Sequence, residues 1–158
     1  SIFFVLIALV HDSNFYIIAS SLIAFMYFNW NPAKIFMGDV GSNFIGSYFF
    51  IALFQAKNLF DFISLILVLS PVFGDAFFSL LTRIKSRENF LKPHKKHLYQ
   101  RLVQAGWSHS IVSILYASAT CLCAFAYFKF GFLILILTFI CIMIMGLILN
   151  KNYAVPFK

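Results

Sequence analysis

Long apolar runs separated by short polar breaks constrain this chain more than any other feature. They cover Ile2–Val10, Phe15–Phe28, Phe44–Phe54, Phe62–Leu81, Ile111–Phe128 and Phe132–Leu149. Only 11% of residues are charged and the mean hydropathy is +0.91, whereas a water-soluble globule carries about a quarter charged residues. Lipid is the main solvent, so backbone polar groups must be satisfied within each segment, and runs of this length do so as helices. The expected fold is an all-α, polytopic integral membrane helical bundle. A span needs about 17–25 residues. The last three runs reach that length, while Phe15–Phe28 and Phe44–Phe54 must extend into their polar ends. The first run is short, lacks the basic flank of a signal peptide and follows Ser1 rather than a methionine. It reads as the remainder of a truncated helix. Residues 1–158 are therefore expected to form one transmembrane unit, with about five full spans after the truncated one.

The basic residues orient these spans. If residues 29–43, residues 82–110 and the C-terminal tail share one side, that side holds ten of the twelve Lys and Arg residues, leaving only Lys57 and Lys129 opposite. Such an excess marks the cytoplasmic side. Trp30 and Trp107 fall in the same loops near span ends, where interfacial anchors belong. The net charge of +7 is thus mainly topology. Its natural partners are the lipid bilayer and phosphates, with no nucleic acid. Cys121, Cys123 and Cys141 all lie in apolar runs and are odd in number, which indicates packing rather than a disulfide framework or zinc.

The segment Asn29-Trp30-Asn31-Pro32-Ala33-Lys34-Ile35-Phe36-Met37-Gly38-Asp39-Val40-Gly41-Ser42-Asn43 carries the clearest chemistry. Gly38 and Gly41 bracket Asp39, and Ser42 or Asn43 can cap the following helix. Two glycines let backbone approach a ligand, and a helix N-terminus offers unpaired N–H groups to phosphate. Asp39 can hold Mg²⁺ there, since this ion takes one or two carboxylates together with waters and substrate phosphates. The plainer reading is an interfacial turn with a helix cap.

The whole string, Asn-x-x-Pro-Ala-Lys-Ile-Phe-Met-Gly-Asp-Val-Gly-Ser, closely resembles a motif of the polyprenyl-phosphate N-acetylhexosamine-1-phosphate transferase superfamily (glycosyl transferase family 4). That superfamily includes enzymes that start peptidoglycan, enterobacterial common antigen and O-antigen synthesis. The resemblance implies that Asp39 is catalytic and binds Mg²⁺, that Phe36 stacks on uracil, and that Gly38 and Asn29 line the nucleoside pocket. Stacking is physically reasonable, because every base has a π face. The alternative for Phe36 is plain lipid-facing bulk.

In residues 82–110, Pro93 and Gly106 are placed to start and stop a short helix. His94, His97 and Arg101 would share one face of it at spacings of three and four, suiting a diphosphate. A solvated positive-inside loop is the bland alternative. His97-Leu98-Tyr99-Gln100-Arg101-Leu102, followed by Ala-Gly-Trp-Ser, resembles the histidine-rich cytoplasmic loop of the O-antigen-initiating branch. By that match His97 and Arg101 are catalytic, and His94 is a substrate-binding candidate. Tyr99 and Gln100 stand where further histidines often occur. Asp75 follows Pro71 and Gly74 inside an apolar run, where an acid is costly and is functional or paired. Its two readings are a catalytic residue facing the cavity, as the resemblance implies, or a structural partner of Arg83 or Ser79. Asp12, Asp61 and Glu88 read as ordinary loop residues.

The resemblance implies the C-terminal part of a catalytic domain that transfers N-acetylhexosamine 1-phosphate from a UDP-N-acetylhexosamine to undecaprenyl phosphate. UMP is released at the cytoplasmic face of the bacterial inner membrane. One departure matters: the family also uses an Asp-Asp-x-x-Asp segment, and this chain contains no adjacent aspartates. Without it the chain alone is expected to be inactive. The rival classes are a non-catalytic transporter or channel and an inactive fragment. The identity of the hexosamine is open.

Overall fold

The computed structural model describes residues 15–30, 32–87 and 96–156. The apolar run Ile2–Val10, Asp12, Glu88, Pro93 and His94 lie outside the described residues. Among the described residues all regular structure is helical. The helices are α1 (Phe15–Asn29), α2 (Gly38–Phe54), α3 (Leu59–Val68), α4 (Ser70–Lys85), α5 (Leu98–Gln104), α6 (His109–Phe130) and α7 (Phe132–Asn152).

Two of these, α6 and α7, are long and apolar enough to cross a membrane. They form a hairpin through Gly131, whose φ of 85° reverses the chain in a single residue. Helix α2 begins at Gly38, so the run Phe44–Phe54 does extend into its polar flank, reaching 17 residues. Helix α1 is 15 residues long from Phe15.

The expected span Phe62–Leu81 is not one helix. It breaks at Leu69 into α3 and α4, which meet at 75°. Pro71 sits in the first turn of α4, where its missing N–H costs nothing, but it cannot continue the helix before it. The pair nevertheless traverses the bundle. Asp61 at the start of α3 accepts a hydrogen bond from Tyr127 Oη (2.7 Å), and Asp75 in α4 accepts one from Tyr116 Oη (2.8 Å). Those tyrosines are separated by about 16 Å along α6, at 1.5 Å per residue. Asp61 is therefore an inter-helix partner rather than an ordinary loop residue.

Helix α6 is the central element, touching α3, α4, α5 and α7. Its inward face offers Ala119, Cys123 and Ala124, all buried beside Leu65, Val68 and Leu135. Small side chains allow the close helix approach that drives packing in lipid, where apolar burial alone gives no preference for protein over tails. Cys123 packs in this core, whereas Cys121 and Cys141 are exposed and the sequence reading of all three as interior residues fails.

The bundle sorts its ends. Phe60 meets Phe132 and Asp61 meets Tyr127, gathering the turns that carry Lys57 and Lys129. At the other end α5 joins the tail through Val155 N–H to Arg101 C=O and through Trp107 against Tyr153. Helix α2 runs back from the Lys57 turn, with Phe49 against Phe73 beyond the bend. Gly38 and Asp39 therefore point away from Lys57.

Candidate active site

The loop after α1 closes on itself. Phe28 C=O accepts from Lys34 N–H (2.9 Å) and Ile35 N–H (3.4 Å), and Asn29 Nδ2 donates to Ile35 C=O (2.8 Å). The Asn29 amide thus shapes the loop that presents Phe36, which is 78% exposed. Gly38 has φ 64° with open space around it, so its glycine is required by backbone conformation rather than crowding. Gly41 differs, because a Cβ there would stand 2.5 Å from Met37 Cγ.

The expected cap at Ser42 or Asn43 is not formed. Helix α2 starts earlier, after Met37, which makes no side-chain cap, and Ser42 Oγ donates to Asp39 C=O within the helix (3.0 Å). Asp39 therefore occupies the first turn of α2, exposed. A negative charge there is favoured by the helix dipole, and the first-turn N–H groups have no intrahelical partners.

The second loop is assembled by contacts distant in sequence. Helix α5 begins at Leu98, and His97 is its extended N-cap, with φ −64° and ψ 148°. Gln100 Oε1 accepts from His97 N–H (3.3 Å), and Tyr99 stacks on the imidazole with centroids 5.6 Å apart. Asp75 reaches in from α4. Its Oδ1 accepts from Leu98 N–H (2.7 Å) and its Oδ2 from Tyr99 N–H (3.3 Å) and Tyr116 Oη (2.8 Å). Its side chain is 6% exposed, against 27% for His97, whose Nδ1 lies 3.9 Å from Asp75 Oδ1. Neither Arg83 nor Ser79 is among these partners. Burial, and secondarily the Asp75 carboxylate, raise the Tyr99 pKa above its ordinary value, so Tyr99 is a neutral phenol at physiological pH.

Arg101 departs from the shared face expected for it. It is 5% exposed, with Nε donating to Val155 C=O (2.7 Å) and Nη1 to Asn150 Oδ1 (2.7 Å). His97 has left helical backbone geometry, so the i, i+4 rule no longer sets the direction of its side chain. Burial lowers the Arg101 pKa from its ordinary value, opposed by Asp75. Arg101 ties α5 to the end of α7.

Asp75 and Tyr116 line two hollows. One, mostly apolar, also touches Pro71, Gly74, Met143 and Asn150. The other, a cleft of about 310 Å³, is lined by Val72, Ala76, His97, Tyr99, Val112 and Ser113 besides that pair. Tyr116 and Asn150 were not singled out from the sequence. Both had one visible signal, a polar atom within or at the end of an apolar run.

Among the described residues no group of three or more His, Cys, Asp and Glu is placed to hold a metal ion. The donor set present, one accessible carboxylate at a helix N-terminus, fits a Mg²⁺ held largely by water and substrate phosphates.

This architecture defines a multi-pass helical membrane protein. Residues 1–57 match the family model of glycosyl transferase family 4, and the chain is similar to curated members of that superfamily. It is 33% identical over 105 residues to a probable undecaprenyl-phosphate N-acetylglucosaminyl 1-phosphate transferase of Bacillus subtilis, covering 63% of this chain and 29% of that protein. A decaprenyl-phosphate N-acetylglucosaminephosphotransferase of Mycobacterium leprae is 31% identical over 114 residues, with the same coverage. A phospho-N-acetylmuramoyl-pentapeptide-transferase of a Wolbachia strain is 33% identical over 100 residues, covering 58% of this chain and 29% of the relative. The match thus spans less than a third of the length of each of these relatives. No solved structure matches.

Proposed function

We propose that the complete protein transfers N-acetylhexosamine 1-phosphate from a UDP-sugar to undecaprenyl phosphate, releasing UMP and starting a lipid-linked cell-envelope polysaccharide of the O-antigen kind. The observation that carries this reading is the Asn29–Ser42 loop, which lies within the family match and presents Asp39 exposed in the first turn of α2. The names of the relatives, polyprenyl-phosphate N-acetylglucosamine 1-phosphate transferases and a phospho-N-acetylmuramoyl-pentapeptide-transferase, support the same reaction class.

In this reading the acceptor's tail stays in lipid while its phosphate attacks the sugar-proximal phosphorus of the nucleotide sugar, and the bond to the UMP oxygen breaks. Phosphoryl transfer of this kind needs positioning and charge stabilisation more than covalent help from the protein. Asp39 would hold Mg²⁺, whose contribution when bound is to neutralise charge on the diphosphate. The first-turn N–H groups of α2 face the same anion. Phe36 offers a ring for the uracil, and Gly38 leaves the approach open. His97 donates toward phosphate oxygens from the cleft beside Tyr99. The site faces the cytoplasm, where the soluble nucleotide sugar is available and where the basic residues concentrate.

Two measurements test the proposal. The complete protein in proteoliposomes should release UMP only when UDP-N-acetylhexosamine, undecaprenyl phosphate and Mg²⁺ are all present. Movement of solute without UMP release would replace the transferase with a transporter. Single cysteines in place of Lys34 or Lys96, in a cysteine-free background, should resist impermeant thiol reagents in intact cells, and one in place of Lys57 should react. The reverse pattern would remove the cytoplasmic active face.

A further inference from the structure

Helix α5 has seven residues, about half the length at which a helix is stable in isolation. Its position must come from elsewhere in the molecule. Asp75 supplies it from α4: the carboxylate takes the N–H groups of Leu98 and Tyr99, which no residue of α5 itself can satisfy. Tyr116 Oη on α6 donates to the same carboxylate at 2.8 Å and fixes its orientation. An acid within an apolar run is expensive, and here three donors offset that cost. Asp75 borders the cleft, but both its oxygens are engaged by these donors and its side chain is 6% exposed, so its charge is already satisfied within the fold. His97, immediately before the anchored turn, does open on the cleft.

We propose that Asp75 is a positioning residue: with Tyr116 it anchors the first turn of α5 and thereby fixes where His97 stands. Asp75 acts through α5 and touches no reacting atom. The inference rests on the proposed function only for the role of His97. The anchoring itself stands on the hydrogen bonds.

The experiment compares Asp75→Ala, Asp75→Asn and Tyr116→Phe in the complete protein, reading amide exchange across residues 96–104 alongside UMP release. Asp75→Ala should speed exchange of the Leu98 and Tyr99 amides by about tenfold or more, the loss of a hydrogen bond to a charged group, and turnover should fall with it. Asn keeps an oxygen for Leu98 N–H, so Asp75→Asn should restore most of the protection and a large share of turnover. Tyr116→Phe, the mildest change, should give a smaller loss of both, and it decides the matter if Asp75→Ala fails to fold.

Asn as inactive as Ala with exchange at the parent rate would place the carboxylate in the chemistry and overturn the proposal. Parent-like exchange in both Asp75→Ala and Tyr116→Phe would also overturn it, as would lost protection with unchanged turnover. A parent that releases no UMP would sink the function reading alone, because the exchange comparison would still show whether Asp75 holds α5.

Discussion

Residues 29–43 close on themselves, whereas residues 96–107 are held from outside. In the first loop the shaping bonds link residues within seven positions of one another, from Phe28 to Ile35 and from Asn29 to Ile35. Its charged groups, Lys34 and Asp39, stay exposed. In the second loop the decisive bonds cross 23 to 54 positions, from Asp75 to Leu98 and from Arg101 to Val155, and the charges in those bonds are buried. The first region places its chemistry by local backbone geometry. The second needs three other helices in position before it has a shape. Substitution of the exposed acidic charge of the first should therefore alter turnover without altering stability, and substitutions in the anchors of the second should do both.

The largest expected effect separates the two loops by activity. Asp39→Asn preserves size and polarity at the first turn of α2 but removes the charge. Turnover of the complete enzyme should fall by about a hundredfold or more, the scale seen when one electrostatic stabiliser is lost, while its thermal midpoint stays at the parent value. Near-normal UMP release across a Mg²⁺ titration would reduce Asp39 to a helix-end charge.

The next effect belongs to the second loop and is a loss of stability. Arg101→Lys loses the planar fork that reaches Asn150 and Val155 together, and unfolding in detergent should become easier by about 1–3 kcal/mol. Asn150→Ala removes one of those partners from the other side and should weaken the fold in the same direction, with no additive loss in the double variant. Full additivity, or an Asn150→Ala protein with parent stability, would return Arg101 to a role at the phosphates.

The smallest effect tests the packing of the first loop. A Cβ at Gly41 would meet Met37 Cγ, so Gly41→Ala should cost about 1 kcal/mol, at the low end for overpacking because the methionine can shift. Shortening the obstacle with Met37→Ala in the same protein should recover much of that loss. No recovery would mean that Gly41 is required for something other than contact with Met37.

What the sequence determined follows from these differences in range. The apolar runs specified an all-α membrane bundle, because lipid leaves a backbone few other ways to satisfy its hydrogen bonds. The string from Asn29 to Ser42 was legible as one unit because its residues interact with one another. Only the starting point of α2 was misjudged, since a positive-φ glycine can open a helix without a side-chain cap. The run Phe62–Leu81 was read as one span although Pro71 stood in it, because composition does not reveal whether a proline kinks a helix slightly or turns it by 75°. Tertiary structure alone decided which groups meet. It gave Asp75 to the first turn of α5 rather than to Arg83, Arg101 to the tail rather than to the face of His97, and Asp61 to Tyr127. The cost of a charge in an apolar run says that a partner must exist, and only the packing of distant helices determines which donor comes within hydrogen-bonding reach.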